Sequence, residues 1–259
     1  MVHPIPDLVD VSVEVGDDHV AVVEFDRPPS NFFDLPLLTH LAEACEGLAD
    51  DGNTRAIVLC SNGRTFCAGA DFTSSSDDRD PGAVYEQALR LFRQPLPMVA
   101  AVQGAAIGGG LGLVMAADFR IASPEARFAA NFAQIGIHHG FGLSVTLPRV
   151  VGLQVAMDLL YTGRRIKAAE AHSAGLVDTV IDPSSNLRDE ARAFAAEIAT
   201  SAPLAVRAIR HTLRGDLAAQ FAAATAHERG EQQKLFHTDD FREGVAAVAA
   251  RRPGRFTGR

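Results

Sequence analysis

The sequence predicts a mixed α/β fold that ends in an all-helical C-terminal quarter. Two short, continuously apolar runs, residues 55–60 (RAIVLC) and 98–102 (MVAAV), have the length and composition of buried strands, and helical stretches separate them. Small-residue segments follow both runs. After about Asp182 the β-forming residues stop, and residues 187–250 are nearly all helix formers.

In chain order, residues 11–25 (VSVEVGDDHVAVVEF) read as a hairpin turning at Gly16-Asp17-Asp18. Residues 35–48 carry apolar side chains at helical spacing, and with the 55–60 strand they complete a strand–helix–strand unit. A polar loop (SSSDDRDPG, residues 74–82) leads to a helix over 83–93 and then to the 98–102 strand. FRIAS at 119–123 reads as strand, and 153–161 and 168–173 as helices. The C-terminal helices are punctuated by Ser201-Ala202-Pro203 and by Gly215-Asp216. Each is amphipathic and must bury one face, for which a partner subunit is a candidate. There is no fixed-period repeat and no long linker.

Composition excludes several classes. Of 259 residues 47% are hydrophobic and 22% charged, which is globular and not disordered. The formal charge of −8 lacks the basic face that nucleic acids require. Cys45, Cys60 and Cys67 show neither zinc nor disulfide spacing, which fits a reducing cytoplasm. The start, MVHPIPDLVD, has acids and proline where a signal peptide needs basic and then apolar residues. Residues 98–117 are long enough to span a bilayer, but they include Gln103 and five glycines, so they read as a buried strand, a turn and a core helix, and no membrane partner is expected.

The chemistry concentrates in the two small-residue segments, Phe66-Cys67-Ala68-Gly69-Ala70-Asp71-Phe72 and Gly104-Ala105-Ala106-Ile107-Gly108-Gly109-Gly110. Glycines opening a helix either permit close packing or bare N–H groups toward a ligand. N–H groups from two such turns together make an oxyanion hole, which holds an oxygen that becomes negative during reaction. A P-loop is excluded because no Lys-Ser or Lys-Thr follows the glycines, and the G-x-G-x-x-G and G-x-S-x-G patterns are absent.

The segments TFCAGADF, AAVQGAAIGGGLGLVMAADFRIAS, LPRVVG, TGRRIKAAEAHSAGLVDTVI and DDFREGVAAVAARRPGRFTGR, in this order over almost the whole chain, resemble the crotonase superfamily of enoyl-CoA hydratases and isomerases. The resemblance implies a β-β-α spiral core over residues 1–185 and a helical oligomerisation region over 186–259, assembled as a homotrimer or a dimer of trimers. It implies an acyl-CoA thioester as partner and no metal or redox cofactor, coenzyme A being part of the substrate. The oxyanion-hole N–H groups fall on Ala70 and Gly109, and Cys67, Ala68, Asp71 and Phe72 fall on the segment that wraps the adenine end of CoA. Arg251 matches a basic position that meets the CoA of a neighbouring subunit, and Phe72, Phe132 and Phe141 are expected to line the acyl pocket.

The sequence departs from the family where proton transfer is done. The two hydratase glutamates are replaced by Gly112 and Phe132, and an aspartate used by some isomerases and dehalogenases is replaced by Gly140. General acid–base groups contribute roughly 10²- to 10⁴-fold each, so hydration is expected to be slow or absent. His138 and His139 stand where the resemblance puts the pocket floor, and one of them is the expected proton-transfer group for isomerisation, hydrolysis or C–C cleavage. The alternative role for the pair is to satisfy carbonyls in a glycine-rich turn. The alternative function is a non-catalytic acyl-CoA binder. Asp71 and Asp118 are expected in turns or caps, Tyr85 and Glu86 on a helix beside the pocket, and Cys67 as a packing residue without a base.

Overall fold

The structure is a computed structural model that describes residues 8–71 and 80–259; Phe72 and most of the polar loop lie outside the described residues. The opening hairpin pairs β1 (Val11–Val15) with β2 (Val20–Phe25), and the Asp18 carboxylate accepts the Val20 N–H at the turn. Helix α1 (Leu35–Asp50) starts at Asp34, whose side chain accepts the Leu37 N–H, and it buries Leu37, Leu38, Leu41, Cys45 and Leu48.

The chain then winds as a spiral. Strand β3 (Ala56–Ser61) precedes helix α2 (Gly82–Arg93). The next turn is β4 (Met98–Val102), β5 (Ala105–Ile107) and α3 (Gly109–Val114), and the one after it is β6 (Phe119–Ala122), β7 (Arg127–Ala129) and α4 (Phe132–Ile135). In each of these turns one strand enters a large sheet and the next entry joins a small one. Cys67 supplies the small-sheet member after β3 by a parallel bridge to Ala106. After α5 (Leu143–Thr162) come β8 (Ile166–Lys167), α6 (Ala168–Ser173) and β9 (Thr179–Val180). The large sheet has the order β1-β2-β3-β4-β6-β9, parallel except for the hairpin, and the small one β5-β7-β8. Parallel neighbours follow from the helical crossovers.

Strand alternation builds two cores. Val20, Val22, Ala56, Val58, Val99 and Ala101 face α7 (Leu187–Ala199) through its Ala191, Ala195 and Ala199, while Ala21, Val23, Phe25, Ile57, Leu59 and Ala100 face the spiral interior. Helix α8 (Pro203–Arg214) buries no residue. Its Arg210 and Arg214 clamp Asp118, which also accepts the Met98 N–H, so Asp118 ties the start of β4 to a C-terminal helix. Burial pushes the Asp118 carboxyl up, but the two guanidiniums overcome this and hold it below the usual carboxylate range. Helix α9 (Leu217–Leu235) packs against α2 and α5, and α10 (Asp239–Ala249) against α4.

Sequence and structure differ in the short strands and in one helix. Strand β5 lies where the sequence predicts a turn and β7 where it marks no element, because three residues are too few to show a period of two. The helix expected over 153–161 extends back to Leu143, with Pro148 inside it and a break at Gly152 (φ 76°) that masks its periodicity.

Candidate active site

The site grows from two backbone turns brought face to face. Hydrogen bonds Cys67 N–H to Ala105 O (2.9 Å) and Ile107 N–H to Cys67 O (3.0 Å) dock the first small-residue segment on β5. A methyl group built on Gly69, at φ 88°, would lie 3.5 Å from the Gly109 nitrogen, which measures how near the two turns come. The chain reverses at Gly108 (φ 57°), and Gly109 is the first residue of α3, where an N–H has no intrahelical acceptor. Ala70, whose neighbour Gly69 accepts the Phe33 N–H, likewise donates to no backbone carbonyl among the described residues.

Both turns open on a cavity of about 810 Å³. Ala68, Ala70, Asp71, Gly109, Phe132 and Phe141 line it. Phe33, Asn131, Ile135, Phe236 and Gln232 also line it and carried no sequence motif. Cys67 does not: it is fully buried behind the wall, and burial pushes its thiol up to about 12, so it packs and neither binds nor attacks. Arg251 does not line the cavity either, although Val248 and Ala249 just before it do. At the mouth Arg27 is tied to Asp34 and Asp10, whereas Arg165 is exposed and has no ion pair among the described residues.

His138 and His139, the expected proton-transfer pair, do not line the cavity. The Gln232 side chain, which does, donates to the His138 carbonyl oxygen (3.0 Å) and so holds the backbone of the histidine turn. Nδ1 of His138 lies 2.7 Å from the His139 carbonyl and donates to it, and the two rings stack with centroids 4.1 Å apart. His139 faces Glu228 (Nε2 to Oε1 3.9 Å), and that nitrogen has no hydrogen-bond partner among the described residues. Burial, with His138 and His227 adding, lowers the His139 pKa to about 4, so the ring is neutral at pH 7. Glycines at 136 and 142 and a positive φ at Phe141 set these directions, and loop residues have no period from which to read them.

The wall beside the two turns is aromatic. A methyl at Gly112 would lie 2.6 Å from Phe141 Cβ, so Phe141 fills the space beside Gly112, and Phe132 lines the same cavity. Phe141 holds φ 60°, a left-handed backbone unusual for a bulky side chain, and its ring lies 5.4 Å from that of Phe33. At Gly140 the space belongs to Tyr85, whose hydroxyl donates to Gln232 Oε1 at 2.8 Å. Tyr85 lines the cavity; Glu86 is exposed and does not. The cavity's carboxylates, Asp34, Asp71 and Asp80, are all at least partly exposed. Among the described residues no group of three His, Cys, Asp or Glu is placed to hold a metal.

The spiral architecture has close counterparts among solved structures. The enoyl-CoA hydratase/isomerase from Pseudoalteromonas atlantica T6c superposes with a TM-score of 0.85 at 31% identity, covering 96% of this chain and 100% of that one. An enoyl-CoA hydratase from Mycobacterium avium subsp. paratuberculosis K-10 gives 0.84 at 28% identity, covering 96% and 99%. The fold is therefore that of the crotonases. In sequence, the crotonyl-CoA hydratase of Syntrophomonas wolfei subsp. wolfei is 33% identical over 248 residues, 93% of this chain and 95% of that protein. The family model for enoyl-CoA hydratase/isomerase matches residues 16–259, and the chain belongs to that family.

Proposed function

We propose that this protein binds an acyl-CoA thioester with its carbonyl oxygen on the N–H groups of Ala70 and Gly109, and that it acts on the enolate so stabilised without carboxylate-assisted hydration. The observation that carries the reading is the pairing of two N–H groups, unengaged among the described residues, with an aromatic wall of Phe132 and Phe141, Phe141 lying against Gly112. Donors fixed in a dry cavity act mainly on the charged transition state, and one such donor is worth about 3–4 kcal/mol. Family membership and the crotonyl-CoA hydratase relative support the thioester. No cofactor is required beyond the CoA that the substrate carries.

One reaction open to such a site is C–C cleavage of a 3-hydroxyacyl thioester: the Cα–Cβ bond breaks with its electron pair held on the thioester as enolate, the 3-hydroxyl gives its proton to solvent as that carbon leaves as an aldehyde, and the enolate takes a proton from solvent at Cα. Isomerisation needs a group that moves a proton between Cα and Cγ and hydrolysis one that activates water, and His138 and His139 do not line the cavity. The second reading, a non-catalytic acyl-CoA binder, is favoured by that same lack of a base. For assembly, α8 buries no residue and exposes Leu204, Ile209 and Leu213, which we assign to contact with further copies in a trimer or dimer of trimers.

The test mixes the protein with crotonyl-CoA and longer enoyl-CoAs, following loss of the conjugated thioester absorbance beside calorimetric binding. Tight binding with little hydration is expected, and rapid hydration would overturn the reading. Turnover of any acyl-CoA that disappears in Gly109→Pro, proline being tolerated at a first helical position, would separate enzyme from binder.

A further inference from the structure

We infer that Tyr85 and Gln232 form a subsite for a hydroxyl group on the acyl chain; the inference rests on the acyl-CoA reading above. The two side chains come from different helices, α2 and α9, and are only 8% and 3% exposed, yet both line the cavity beside Phe141. Their mutual orientation is fixed. Gln232 Nε2 donates to the His138 carbonyl (3.0 Å), so its other atom is the oxygen, and that oxygen accepts the Tyr85 hydroxyl proton (2.8 Å).

Counting groups shows what remains. Gln232 keeps one N–H, and the Tyr85 and Gln232 oxygens each keep a lone pair. An alkyl chain end seated there would bury these groups unmatched, whereas a hydroxyl both donates and accepts and so matches them. The pair exists only because residue 140 is glycine: a methyl there would lie 1.9 Å from the Tyr85 hydroxyl oxygen and 2.7 Å from Gln232 Nε2. The location along the substrate also follows. A methyl at Gly109 would be 3.4 Å from the Phe141 ring, and the Tyr85 ring is 6.3 Å from the Phe141 ring, centroid to centroid. One aromatic ring thus separates the subsite from the thioester carbonyl, which places the hydroxyl on a distal carbon and not on Cα.

The experiment is calorimetric binding of short and medium saturated acyl-CoAs, each beside its terminally hydroxylated counterpart. For at least one chain length the hydroxylated ligand is expected to bind at least tenfold more tightly to the native protein. Tyr85→Phe, with its thermal unfolding checked, is expected to abolish that preference and leave the plain acyl-CoA affinity within about twofold. Gly140→Ala, whose methyl displaces the hydroxyl, is expected to do the same. Plain and hydroxylated ligands binding equally at every length, or a preference that survives in Tyr85→Phe, would overturn the subsite. Failure of every acyl-CoA to bind would overturn the acyl-CoA reading beneath it.

Discussion

A methyl group at Gly110 would lie 2.1 Å from the carbonyl oxygen of Cys67, against backbone that cannot yield, whereas one at Gly109 would meet the Phe33 ring at 2.5 Å, a side chain that can turn. Gly110→Ala is therefore expected to cost about 3 kcal/mol of stability by overpacking, visible in the denaturant midpoint. Gly109→Ala should fold and chiefly weaken acyl-CoA binding. Gly112 gives the sharper test. Gly112→Glu alone collides with Phe141, but Gly112→Glu combined with Phe132→Glu and Phe141→Ala restores both carboxylates and clears their space. That triple variant is expected to hydrate crotonyl-CoA at least ~100-fold faster than the parent. At this scale Ala70, Gly109, Phe132 and Phe141 were legible because motifs mark them. Gln232 was not, although a signal existed: Phe221, Thr225, Glu228 and Gln232 fall on the buried face of α9, so three polar side chains interrupt an inward stripe.

At the scale of elements, Glu228 acts as a cap supplied from another helix. Fully buried, it accepts the Gly142 N–H (2.8 Å), the Ser144 N–H (3.1 Å) and the Ser144 hydroxyl (2.5 Å) at the start of α5, beside the Phe141 turn. Glu228→Leu leaves these donors unsatisfied and is expected to lower stability by about 3 kcal/mol, read from chemical unfolding. The neighbouring histidine gives a pH signature. The His139 pKa falls from 6.5 to about 4 on folding, so the unfolded chain binds more protons between these values. Its contribution is present above pH 6.5 and is lost as pH falls toward 4, by roughly 3 kcal/mol in all. Glu228 runs the other way: burial raises its pKa despite the Ser144 and Gly142 bonds, so its contribution declines as pH rises through that raised value. His139→Gln removes the first effect and leaves the second, and thermal unfolding across pH 4–7 should show a visibly shallower acid limb. An unchanged limb would remove His139 from this role.

For the whole molecule, the opening hairpin, the buried strands and the helical C-terminus were all readable from apolar runs and their period. How these pieces wind was not: the β5 and β7 strands are three residues each, and their pairing is set by tertiary contact. The same holds for α8, whose amphipathic pattern was plain while the split of its faces was not. Arg210 and Arg214 turn inward to Asp118, and Leu204, Ile209 and Leu213 turn out. Sedimentation at micromolar concentration is expected to show an oligomer, and Leu204→Glu with Leu213→Glu to shift it to smaller species; a native monomer would contradict the assignment. The claim on which the functional account turns is that a thioester carbonyl sits between two backbone N–H groups. Isotope-edited infrared spectroscopy of a bound acyl-CoA, carbon-13 labelled at that carbonyl, reads it directly. The account expects the stretch to move to lower frequency than in water as the fixed donors of Ala70 and Gly109 polarise the bond; a bound ligand whose stretch stays at or above its solution value would contradict it.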